Sequence, residues 1–151
     1  MEYEIVNLSE KKIIGIDART NNMSEDMPNV IGGLWDKFFK GGIYSGIKNK
    51  LNYKSIGGYS DYASDAFGDY TATVGTEVNK FEDIPEGAVK KIIPEGKYAK
   101  FVVKGDRVKA VQDFWSKLWK MDINRSYKWD FEEYQDTNMK NATINIYISI
   151  K

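Results

Sequence analysis

Two stretches of this chain carry the same pattern about 80 residues apart: Leu34-Trp35-Asp36-Lys37-Phe38-Phe39 and Phe114-Trp115-Ser116-Lys117-Leu118-Trp119. Each is an apolar pair, a polar residue, a lysine and a second apolar pair. Around them, Ser9-Glu10-Lys11-Lys12 faces Pro94-Glu95-Gly96-Lys97, and Ala72-Thr73-Val74 faces Ala142-Thr143-Ile144. Matches in the same order across both halves indicate an internal duplication. A duplicated chain of this size must pack one supersecondary unit against its own copy.

The unit can be read from its periodicities. Strand-like runs at 4–8 and 12–20 are separated by a turn at Ser9 to Lys11. Ser24 and Pro28 are helix-start signals, and Val30, Ile31, Leu34, Trp35, Phe38 and Phe39 then form one stripe of an amphipathic helix that Gly41-Gly42 ends. Two strands follow near 54–62 and 69–78. The second half repeats the order: strands at 88–93 and 97–104, a helical stripe from Val108 to Trp119, and strands near 127–135 and 142–150. The last strand alternates through Ile144, Ile146, Ile148 and Ile150. The expected fold is α+β, with two β-α-β-β half-modules (about 1–78 and 88–151) forming an antiparallel sheet with two main helices. The connector at 79–87 is too short to separate two domains. The whole chain, 1–151, is therefore read as one domain, with a central cleft where its halves meet.

Composition narrows the chemistry. The chain has no Cys and no His, which excludes disulfides, thiolate or Ser-His-Asp catalysis, and metal sites built on either residue. Neither a metal nor a cofactor is expected. Gly32-Gly33, Gly41-Gly42 and Gly57-Gly58 lack the spacing and basic partner of a phosphate loop. Basic and acidic residues balance at 22 each with no basic block, so direct nucleic-acid binding is not expected. No segment approaches the roughly 20 apolar residues of a membrane span, and the acidic start, Met1-Glu2-Tyr3-Glu4, is unlike a signal peptide. The expected location is cytoplasmic. Ten Tyr, four Trp and seven Phe are an unusual aromatic content, which composition alone assigns to a bulky core before a pocket wall, although Tyr and Trp suit either.

Several stretches together resemble the GyrI-like small-molecule-binding domain, also found as the effector-binding domain of AraC- and MerR-type regulators, within the SOUL-like fold. They are Ile31-Gly32-Gly33-Leu34-Trp35, Ile56-Gly57-Gly58-Tyr59-Ser60-Asp61-Tyr62, Tyr70 to Val78, Ile92 to Ala99, Phe131-Glu132-Glu133-Tyr134, and Ile146 to Ile150. The resemblance implies an aromatic-lined central pocket holding one acidic residue. It maps the family's aromatic-acid-any-aromatic run onto Phe131 to Tyr134 and so picks out Glu132. It also implies aromatic walls, for which Trp35, Tyr62, Trp119, Tyr134 and Tyr147 are the candidates. Relatives of this kind bind lipophilic cations, and some look like hydrolases of strained, electrophilic molecules. Unlike the regulators, this chain opens on the first strand of the fold, so a transcription factor working alone is not expected.

A carboxylate enclosed by aromatics either has its pKa raised or acquires a positive partner. A lipophilic cation meets that need and stacks on Tyr and Trp faces as well. The alternative for Glu132 is a solvated strand residue paired with Lys128 or another lysine. Strand alternation puts Trp129, Phe131 and Glu133 on one face and Asp130, Glu132 and Tyr134 on the other. If the helices cover the Trp129 face, Glu132 points away from them, toward a concave sheet surface or water.

The expected function is a stand-alone protein that encloses a hydrophobic or cationic drug-like ligand. The alternative is hydrolysis of an electrophilic or strained-ring molecule, with Glu132 as catalytic base or charge stabiliser and a tyrosine as proton donor. A third reading, which the family name suggests, is a module that binds and inhibits a protein partner such as a topoisomerase.

Overall fold

The computed structural model describes all 151 residues. In chain order the elements are β1 (Glu4–Leu8), β2 (Lys11–Thr20), α1 (Met27–Lys40), the short α2 (Ile43–Gly46), β3 (Ser55–Ser60), β4 (Tyr70–Val78), β5 (Val89–Ile93), β6 (Gly96–Gly105), α3 (Arg107–Leu118), β7 (Arg125–Tyr134) and β8 (Ala142–Ile150). The expected α+β duplication is present: β2-α1-β3-β4 is matched by β6-α3-β7-β8. Only α2, hidden behind Gly41-Gly42, has no counterpart in the sequence reading.

All eight strands form one antiparallel sheet in the order β1-β6-β8-β7-β3-β4-β2-β5. The modules join at its centre, where β3 pairs with β7 and Gly57 lies opposite Glu132. The turn at Ser9 and Glu10 closes no hairpin. Instead β1 crosses to pair with β6 of the other module, and β5 reciprocally pairs with β2.

This exchange dictates the shape of the sheet. In a flat sheet at about 4.8 Å per strand, six steps would put β1 roughly 29 Å from β2. The link through Ser9 and Glu10 spans at most about 11 Å. The same holds for β5 and β6, joined by Pro94 and Glu95. The sheet therefore curls until its ends approach. Its inner face is filled by Ile13, Ile56, Ile93, Tyr98, Phe131 and Tyr147, contributed by strands from both ends.

The helices lie on the outer face. Leu34 and Phe38 of α1 pack over Ile14, Ile16 and Val74, while Phe114 and Leu118 of α3 pack over Ile144, Ile146 and Ile148. The paired positions follow the internal repeat. Pro28 stands in the first turn of α1, and Asp106 caps α3 by accepting from Val108 N at 3.2 Å and Lys109 N at 3.0 Å. On β7 the helices cover the Glu132 face, whereas Trp129 and Phe131 turn to the inner core. The conditional reading of the strand, with helices over Trp129, is thus reversed. None of the helices is long and apolar enough to cross a membrane.

Candidate ligand-binding site

Between α1 and α3, above the β3–β7 seam, lies a cleft of about 1410 Å³. Its walls hold Trp35 from α1, Trp115 and Trp119 from α3, Tyr59 from β3, Tyr134 from β7 and Tyr62 just beyond β3. Trp35 packs against the clusters beneath both helices and meets Tyr134 edge-on, with ring centroids 5.1 Å apart.

Glu132 stands on the floor of this cleft and is 1% exposed. Its carboxylate is held by three neutral donors. Tyr59 Oη and Trp115 Nε1 each donate to Oε2 at 2.8 Å, and Tyr134 Oη donates to Oε1 at 2.7 Å. No lysine or arginine nitrogen comes within 4.0 Å of it. The solvated pairing with Lys128 is therefore not what the fold builds. The positive charge that bears on it is Arg107, whose guanidinium lies 4.2 Å from the Tyr134 ring and 5.5 Å from Trp35 and donates to Ser55 Oγ at 3.1 Å.

Burial raises the Glu132 pKa above the ordinary carboxylate value. The hydrogen bonds from Tyr134, Trp115 and Tyr59, and the charge of Arg107, oppose that rise without cancelling it. Burial likewise raises Tyr59 and Tyr134, and the adjacent Glu132 raises them further; Tyr70 is pushed up to about 12 by burial and then by Glu132. These phenols are hydrogen-bond donors and weak acids.

Gly57 is what lets the carboxylate sit there. A β-carbon at this position would lie 2.9 Å from Glu132 Oε1 and 3.3 Å from the Trp35 ring. Gly57→Ala is expected to displace the carboxylate from its donors, destabilise the fold by about 1–3 kcal/mol and shift the Trp emission. Urea denaturation followed by fluorescence checks this, and an unchanged midpoint and spectrum would contradict it.

Of the residues expected at the site, Glu132, Trp35, Tyr62, Trp119 and Tyr134 all reach the cleft. Trp119 sits at the mouth, edge-on to Phe67 of the β3–β4 loop with centroids 5.1 Å apart. Tyr147 does not reach the cleft. It stacks on Phe131 at 4.7 Å inside the curled sheet. The alternation of Ile144, Ile146 and Ile148 toward the helices already implies that Tyr147 faces away from them. Two Glu132 ligands were missed, Tyr59 and Trp115. The internal repeat carried the signal for the second, because Trp35 aligns with Trp115, whereas Trp119 aligns with Phe39.

A curled antiparallel sheet made of two β-α-β-β modules, with a buried acid under aromatic walls, defines a GyrI-like effector-binding domain. The comparisons agree. The family model described as Cass2, integron-associated effector binding protein, matches residues 4–150. YobU of Bacillus subtilis (strain 168), whose name places it among candidate transcriptional regulators, is 32% identical over 157 residues, covering 97% of this chain and 96% of its own. The integron cassette protein of Vibrio cholerae superposes with a TM-score of 0.79 at 28% identity, covering 99% of this chain and 95% of its own. SAV2435, solved bound to tetraphenylphosphonium, superposes with a TM-score of 0.82 at 19% identity over 100% of this chain and 94% of its own, a likeness of fold. The chain belongs to the Cass2 family of integron-associated effector binding proteins, and it is a small-molecule-binding fold.

Proposed function

We propose that this protein binds a lipophilic organic cation in the cleft, with Glu132 as the counter-charge. The observation that carries the reading is a buried carboxylate held by three neutral donors and paired with no cation, beneath Trp and Tyr faces. Such a group is unfavourable when ionised in the empty site, and a permanent cation relieves the imbalance. The aromatic walls add cation–π attraction, about 0.5–2 kcal/mol per contact. That SAV2435, of the same fold, was solved with tetraphenylphosphonium supports the ligand class.

Hydrolysis draws less support from the same geometry. The carboxylate oxygens are already engaged by three donors, so a water to be activated would have to displace one of them, and tyrosines with raised pKa values are poor proton donors.

The test is titration of tetraphenylphosphonium followed by Trp fluorescence and thermal shift across pH. The cation selects the ionised carboxylate, so affinity is expected to climb as pH rises above about 4.5 through the raised pKa of Glu132, by up to about tenfold per unit, and then level off. The empty protein behaves oppositely. A raised folded-state pKa contributes stability fully present below the unfolded value and lost as pH rises through the folded one. Absence of quenching and thermal shift throughout that range would overturn the proposal.

A further inference from the structure

Two residues before Glu132, on the same face of β7, Asp130 is fully enclosed, at 0% exposure. It accepts from Tyr62 Oη at 2.6 Å, Arg125 Nη2 at 2.7 Å, Ser149 N at 2.9 Å and Ser149 Oγ at 3.2 Å. Its lone pairs are filled from inside the protein. Arg125 is different. Its side chain is 10% exposed, lines the cleft and lies 4.4 Å from the Tyr127 ring. Only Nη2 is engaged. Nε is sealed from solvent without an acceptor, while Nη1 makes no hydrogen bond within the protein and is not sealed. A guanidinium that is nine-tenths buried thus keeps unused N–H donors at the cleft wall.

The charge balance says what those donors suit. Asp130 already neutralises Arg125, so this end of the cleft offers directed donors with little net positive charge. A carboxylate arriving there would meet Asp130 as a like charge. A neutral oxygen would accept the free N–H at little desolvation cost. Asp130 and Glu132 are two strand positions apart on one face, and Arg125, paired with Asp130, lines the same cleft as Glu132.

We propose that the Arg125 end of the cleft is a subsite for a hydrogen-bond acceptor, and that the ligand is a lipophilic cation that also carries a neutral acceptor, such as a ketone or amide oxygen, on one of its aryl groups. The inference rests on the cation reading of the Glu132 end. It adds a selectivity among cations that bulk and charge alone do not supply.

The experiment compares two cations of equal charge and nearly equal shape, para-acetylphenyl(triphenyl)phosphonium and para-isopropenylphenyl(triphenyl)phosphonium, by calorimetric or fluorescence titration of the full chain. The expected result is that the ketone binds about tenfold more tightly, the equivalent of about 1.4 kcal/mol. Replacing Arg125 alone would strand Asp130, so the variant is Arg125→Met with Asp130→Asn, which removes both charges. In it the two probes are expected to bind equally. Equal affinities in the unaltered protein would overturn the subsite and leave the cation reading standing, because both probes still bind. A ketone preference that survives in the double variant would overturn the role of Arg125. Failure of both probes to bind the unaltered protein would overturn the cation reading together with this one. The comparison in the unaltered protein decides the proposal whether or not the double variant folds.

Discussion

Replacing Glu132 with Gln is expected to weaken tetraphenylphosphonium binding about 100-fold, while a neutral triaryl ligand of similar size changes by no more than about threefold. The asymmetry follows from which interaction is lost. Gln keeps the shape of the side chain and an oxygen for Tyr59 or Tyr134, but it removes the buried negative charge beneath the aromatic walls. Losing one partner of a desolvated charge pair costs about 2–5 kcal/mol, and a factor of 100 is about 2.7 kcal/mol. The neutral ligand depends on stacking with Trp35 and Trp115, which the substitution leaves in place. The free protein is expected to gain stability near neutral pH, since a carboxylate whose pKa burial raises is unfavourable when ionised. Isothermal titration of both proteins with both ligands supplies the four affinities, and thermal denaturation of the free proteins supplies the change in stability. A parallel loss of both affinities would show that Glu132 shapes the cleft and does not act through its charge.

Asp130→Ala is expected to be the most damaging single substitution in the site. It removes the acceptor of Arg125, Tyr62 and Ser149 together, and leaves a guanidinium that is nine-tenths buried without its counter-ion. Breaking a buried pair from one side costs about 3–5 kcal/mol. For a chain of this length that corresponds to a fall in Tm on the order of 10 °C. The double variant that also replaces Arg125 with Met is expected to recover about half of the loss, because the stranded charge goes with its partner. Chemical denaturation of the two single variants and the double gives the coupling energy. Additive losses would mean that the two side chains act independently despite their 2.7 Å contact.

The sequence carried local structure well and long-range pairing poorly, for a physical reason. Periods of two and of 3.6 are imprinted residue by residue, so the strands and both long helices could be read directly, and the duplication fixed their order. Which strand lies beside which depends on contacts across the whole chain, and nothing in Glu4 to Leu8 announces a partner at Gly96 to Lys100. At the site, Glu132, Trp35, Tyr62, Trp119 and Tyr134 were legible through the family resemblance. Tyr59 carries no local signal, and Trp115 is marked only by the internal repeat. The resemblance points to Tyr147, which the alternation of its own strand turns away from the cleft. Asp130 and Arg125 were invisible, because a buried ion pair has no signature in composition and Arg125 precedes a register shift in β7.

The exchange of outer strands bears on how guests can be admitted. Many two-lobed receptors swallow their cargo by swinging the lobes apart on a hinge. Here each lobe is stitched into its twin by a borrowed strand, through two-residue stitches at Ser9-Glu10 and Pro94-Glu95, and the seam between β3 and β7 forms the floor beneath the guest. Such a floor does not part. Accommodation of differently sized guests then falls to the roof, the two long helices that carry Trp35 and Trp115 over Glu132.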